Sequence, residues 1–122
     1  MLRTLLAVAL IAAVPSLASA AGDAAKGEKV FRKCKACHTA TEDKNKVGPS
    51  LMNVVGRKAG THEGFKYSSA MVDSGLTWDE ATLDKFLTKP KDVIAGTKMI
   101  FGGLKKDEDR ADVIAYLKEH SK

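Results

Sequence analysis

Residues Cys34-Lys35-Ala36-Cys37-His38 set two thiols three positions apart and an imidazole directly after the second. The spacing C-x-x-C-H reads as the attachment site of a c-type haem. On one helical turn, thiols so spaced can add to the two vinyl groups on one edge of the macrocycle. The next histidine then lies under the iron. On this reading Cys34 and Cys37 are thioether anchors, His38 is the proximal ligand, and one haem is held covalently. The rest of the chain must then fold as a wrapper around a flat apolar body. Three other uses of the pair stay open. One is a redox-active dithiol of the thioredoxin kind. Another is half of a zinc site, which would need a second ligand pair in a chain with only two cysteines. The third is an incidental buried or disulfide-bonded pair.

The chain has 122 residues, which implies one domain. Its first twenty read as a secretory leader. Arg3 gives the positive start, Leu5 to Val14 is an apolar run, and Ala18-Ser19-Ala20 is a small-residue cleavage site. The run is short for a membrane-spanning helix, so an uncleaved anchor is the less favoured alternative. The expected organisation is a leader over 1–20 and one domain over 21–122, periplasmic once exported. A domain of that size is near the lower limit for a self-sufficient core, and a buried apolar cofactor would make up the deficit. The formal charge of +5 suits an acidic protein partner, an anionic surface or nucleic acid. Export argues against nucleic acid, and the lysines are scattered rather than gathered in one tract.

Helix signals dominate and β signals are weak. Asp23 is a good N-cap, and Gly27, Val30, Phe31 and Cys34 then recur on one helical face, with the cysteine motif at the helix end. Residues 39–45 read as a loop, and Gly48, Pro49, Gly56, Gly60 and Gly64 mark an irregular stretch. A short helical turn is expected over 69–73, stopped by Gly75. Thr77 with Glu80 forms a capping box, opening a helix to about Thr88 with Leu83, Phe86 and Leu87 inward. Pro90 opens another short turn ending at Gly96. A last helix runs from about Asp107 to His120, its inner stripe Arg110, Val113, Ile114 and Leu117. The expectation is an all-α domain whose Gly-rich loops are draped around a flat cofactor.

Several further segments stand in a recognisable order: Val47-Gly48-Pro49, Gly56-Arg57-Lys58, Gly64-Phe65-Lys66-Tyr67, Gly75-Leu76-Thr77-Trp78, Pro90-Lys91 and Gly96-Thr97-Lys98-Met99-Ile100-Phe101. With the cysteine motif they make the chain resemble class I cytochromes c, from Gly22 to Lys118. The resemblance implies a fold in which the first and last helices cross, at Gly27 against Tyr116 and Leu117. It implies that Met99 is the sixth iron ligand, a soft thioether that raises the reduction potential. A buried core methionine is the commoner fate of that residue type. Pro49 matches the proline whose carbonyl accepts from the proximal imidazole. Arg57, Tyr67 and Trp78 match positions around the inner haem propionate, and Thr97 a hydroxyl near the other propionate. Phe86 and Met71 depart from the mitochondrial pattern, each replacing a polar side chain near the iron.

The function this implies is a soluble, monomeric periplasmic carrier of single electrons, not an enzyme. Lys29, Lys33, Lys46, Lys91, Lys98, Lys105 and Lys106 match, or lie near, the family's basic ring around the exposed haem edge. Such a ring steers encounters with acidic redox proteins. The implied donor is a membrane cytochrome bc complex, and the acceptor a terminal oxidase, a photosynthetic reaction centre or a reductase. A haem enzyme or ligand sensor, with the sixth position open or labile, is the competing class, and Met99 argues against it.

Overall fold

The computed structural model describes residues 22–122 and the dipeptide 8–9. The leader expected over 1–20 and its boundary at Ala21 otherwise lie outside the described residues. Among the described residues five α-helices follow in chain order: α1 Ala24–Val30, α2 Ser69–Asp73, α3 Glu80–Thr88, α4 Pro90–Val93 and α5 Asp107–Glu119. The long connections wrap a shared core. Among the described residues the only β pairing is an isolated bridge between Lys58 and Thr77.

Asp23 caps α1 as its sequence implies, its carboxylate accepting from the N–H groups of Ala25 at 2.9 Å and Lys26 at 3.2 Å. The helix is shorter than the periodicity suggests. It tightens into a 3-10 turn, Phe31–Lys33, before the cysteine motif begins. Gly27 and Phe31 are buried, and Val30 and Cys34 are half-buried, so the expected face is the one turned inward.

α1 crosses α5 at Gly27. A Cβ there would overlap the Asp112 carbonyl and lie 2.8 Å from the Tyr116 Cβ. Only the absence of a side chain permits this approach. The crossing falls at Tyr116, as expected, and at Asp112. Leu117 turns to the cavity described below. Two further contacts fasten the pair. Phe31 packs on Tyr116 with ring centroids 5.4 Å apart, and the buried Asp112 carboxylate accepts from the Asp23 N–H at 2.8 Å. The expected inner stripe of α5, Arg110, Val113, Ile114 and Leu117, is buried throughout.

The start of α3 corrects the sequence reading. Its cap is Asp79, which accepts from the Thr82 N–H at 2.7 Å, and not Thr77. The backbone explains the difference. Trp78 N–H donates to Arg57 and Gly56 N–H to Trp78, both at 2.8 Å. This pairing holds Thr77 and Trp78 extended, so the helix cannot begin until Asp79. α4 also stops early, at Val93 rather than Gly96. Ile94 is extended, and a separate turn closes with Thr97 N–H donating to the Ile94 carbonyl at 3.1 Å.

Candidate cofactor site

One turn gathers the cysteine motif. The Cys34 carbonyl accepts from the backbone N–H of Cys37 at 3.1 Å and of His38 at 2.9 Å. The three side chains thus follow one another round a helix-like turn. The sulfurs are half-buried and not bonded to each other. They line a cavity of about 300 Å³, and so do His38, Pro49, Arg57, Tyr67, Trp78, Thr97 and Met99. Residues far apart in sequence are therefore brought to one place.

His38 is held for ligation. Its Nδ1 lies 2.7 Å from the Pro49 carbonyl oxygen. A carbonyl only accepts, so Nδ1 carries the proton and Nε2 keeps its lone pair, the state a metal ligand needs. Burial lowers the imidazole's pKa, the Pro49 bond opposes it, and Arg57 and Lys46 push it down further. Gly48 lies against the ring. A Cβ there would sit 2.8 Å from Nδ1 and 2.9 Å from Nε2, so any side chain would displace the imidazole.

The Cys34 thiol is pushed up by burial, with Lys33 opposing and Cys37 adding to the rise. A redox-active dithiol ordinarily relies on the opposite shift. The zinc alternative lacks ligands: among the described residues no three His, Cys, Asp or Glu side chains gather to hold a metal ion.

Arg57 brings a cation to the cavity wall. Its Nη2 donates to the Ser50 carbonyl at 3.0 Å and its Nη1 to the Met52 carbonyl at 3.3 Å. Nη1 also lies 3.1 Å from His62 Nδ1, which must accept because a guanidinium cannot. His62 Nε2 then donates to Asp43, 2.8 Å away. Burial lowers the Arg57 pKa, while Tyr67 and Asp43 raise it; an arginine remains charged under any such balance. Tyr67 accepts from the His62 backbone N–H at 3.2 Å, which leaves its own O–H to donate. Burial raises the phenol's pKa and Arg57 opposes that rise, followed by the His62 bond. Trp78 is buried, its ring 4.8 Å from Phe86. These groups suit the carboxylates of a haem, which cannot be buried without partners.

Met99 is half-buried and on the cavity wall. The Thr97 hydroxyl accepts from the Met99 N–H at 3.2 Å. Thr97 thus braces the Met99 segment, a role distinct from the propionate contact the resemblance implies. Met71 and Phe86 also line the wall and present apolar side chains there.

Two participants were not singled out in the sequence. His62 and Asp43 buttress Arg57, yet they stand nineteen residues apart with nothing in spacing to join them. Phe65, on the cavity wall and 4.9 Å from the Tyr67 ring, was legible as the aromatic two positions before Tyr67. Of the lysines, Lys33 and Lys98 border the cavity. Lys46 is exposed, with its ammonium donating to the Lys35 carbonyl at 2.7 Å.

An all-helical wrapper, an apolar cavity, a C-x-x-C-H turn and a cation beside it define a protein built to enclose one haem. The family model for cytochrome c matches residues 24–121, and the chain belongs to that family, as a class I cytochrome c. It is 62% identical to cytochrome c2 of Rhodomicrobium vannielii over 101 residues, 82% of this chain and 81% of that protein. Cytochrome c-554 of Methylosinus trichosporium is 49% identical over 117 residues, 95% of this chain and 89% of that one. Among solved structures, cytochrome cH from Methylobacterium extorquens superposes with a TM-score of 0.77 at 52% identity, covering 80% of this chain and 99% of that one. As a cytochrome c, the chain carries a covalent c-type haem and is an electron carrier rather than an enzyme.

Proposed function

We propose that the chain is an exported, soluble, monomeric carrier that shuttles single electrons in the periplasm. Cys34 and Cys37 would hold the haem by thioethers, and His38 and Met99 would supply the two protein ligands to its iron. The bound haem supplies the one-electron ferrous–ferric couple. The observation that carries this reading is the His38–Pro49 bond of 2.7 Å, which fixes the imidazole in the tautomer that ligates through Nε2. Met99 completes the set as a soft, neutral donor that favours ferrous iron. Arg57 and Tyr67 hold the propionates, with His62 and Asp43 bracing the guanidinium. With both residues ligating, oxygen or peroxide would find no open position.

Two features favour an exported carrier: the leader-like start of the sequence, and the c2 and c-554 cytochromes among its bacterial relatives. No helix among the described residues is long and apolar enough to cross a membrane. The proposed donor is a membrane cytochrome bc complex. The proposed acceptor is a terminal oxidase, a reaction centre or a reductase, presenting acidic groups to Lys33 and Lys98 at the cavity mouth.

Replacing Met99 tests the ligand set. In Met99→Ala the potential drops, by a sizeable part of the roughly 0.8 V that axial ligands span, and carbon monoxide binds the ferrous protein readily. An unchanged potential would assign the sixth position to another residue.

A further inference from the structure

Arg110 is a charged side chain in the helical core, 6% exposed. It sits in the first turn of α5, and its partners lie on α3, on the connection before α5 and on α5 itself. Nε donates to Asp84 of α3 at 2.8 Å, Nη1 to the Leu104 carbonyl at 2.6 Å, and Nη2 to Asp107. All three nitrogens of the guanidinium are engaged. Burying a cation is costly unless each donor is paired, so the cluster is a committed arrangement rather than a solvated pair.

Leu104 ends the segment that carries Met99. Between Lys98 and Gly103 the backbone makes one hydrogen bond among the described residues, from Met99 N–H to Thr97. Ile100 is fully exposed, and a Cβ at Gly102 would touch nothing. Met99 and Phe101 pack inward against the core, but with so few backbone hydrogen bonds the stretch depends on its ends for its position. The leading end is the Ile94–Thr97 turn. The trailing end is a clamp on α3 and α5. Leu104 N–H donates to the Leu87 carbonyl at 2.7 Å, and Arg110 grips the Leu104 carbonyl. Gly103, at φ +106°, passes close against the Thr88 carbonyl, where no side chain would fit.

We propose that Arg110 is a positioning residue for Met99. By tying Leu104 to Asp84, it fixes where the Met99 segment ends and so how firmly the thioether competes for the sixth position. The proposal rests on Met99 being an iron ligand. Without the clamp the segment opens more often, and a small ligand reaches the iron when it does. Arg110 never touches the cavity, so its effect on the iron travels through Leu104.

Imidazole binding to the haem-loaded, oxidised protein tests this, with thermal melting of each variant alongside. Arg110→Leu is expected to bind imidazole about tenfold more tightly, which corresponds to about 1.4 kcal/mol. Asp84→Ala keeps the Leu104 bond but frees the guanidinium on one side, and is expected to fall between. If Arg110→Leu does not fold, Asp84→Ala decides. Asp23→Ala, which weakens the cap of α1 but keeps the backbone N–H that Asp112 accepts, is the control. It should melt earlier with unchanged imidazole affinity. Arg110→Leu and Asp84→Ala that melt early but bind imidazole like the parent would overturn the proposal and leave Arg110 a purely structural residue. Met99→Ala separates the two levels: if it too leaves imidazole affinity unchanged, the Met99 reading has failed.

Discussion

His38 shows how little separates an ordinary histidine from one prepared to ligate a metal through Nε2. The side chain is the same; its state is set by the Pro49 carbonyl accepting the Nδ1–H hydrogen bond and by Gly48 leaving room for the ring. The cysteines yield a direct expectation. Acid-denatured mature protein should have the mass of the polypeptide plus one haem, and a thiol reagent should label neither Cys34 nor Cys37, because a thioether has no S–H. A bare polypeptide mass from pigmented protein would refute covalent attachment. The sequence exposed these residues because their signals are local. Cys34, Cys37 and His38 are adjacent, and Met99 is marked by Gly96-Thr97-Lys98 before it. Asp43 and His62 could not be read in the same way. Neither belongs to a motif, and they meet only because the 39–67 region folds back on itself.

Helix type and order were readable because the apolar spacing is helical, and α1, α3 and α5 turn the expected faces inward. The start of α3 was not, because a long-range pairing decided it. Thr77 offers a plausible cap until Trp78 pairs with Arg57. Asp79→Ala should therefore lower the melting temperature at neutral pH, while Thr77→Ala leaves the helix start intact. The pH dependence has a definite sign. Hydrogen bonds from Thr82 lower the pKa of the Asp79 carboxyl in the folded state. The stabilisation is thus present above the unfolded carboxylate range, near pH 4. It is lost as pH falls through the lower folded value, and the difference between Asp79→Ala and the parent should vanish in acid. A constant difference at every pH would mean the cap acts by another route. The α1–α5 crossing is less forgiving. Gly27→Val would drive its branched side chain into Asp112 and Tyr116, and about 3 kcal/mol or more should be lost. A domain of this size would then melt roughly 12–24 °C earlier. Melting within a few degrees of the parent would contradict the close approach.

The fold reads as a holder whose chemistry is concentrated at one cavity, with Lys33 and Lys98 among its lining residues. Both lysines are exposed, so reversing both to Glu should slow association with an acidic redox partner. The loss should be greatest at low salt and shrink as screening grows, the Debye length being about 8 Å at physiological ionic strength. Stopped-flow kinetics over a salt series would show this, and equal slowing at every salt concentration would exclude steering. The measurement that bears most directly on the carrier itself is a spectroelectrochemical titration of the purified haem protein. Our account predicts a single one-electron transition, low-spin spectra in both states, and, in the oxidised state, the weak far-red band of a methionine–iron bond. High-spin iron, or an oxidised spectrum without that band, would contradict it and point to a haem with an open sixth position.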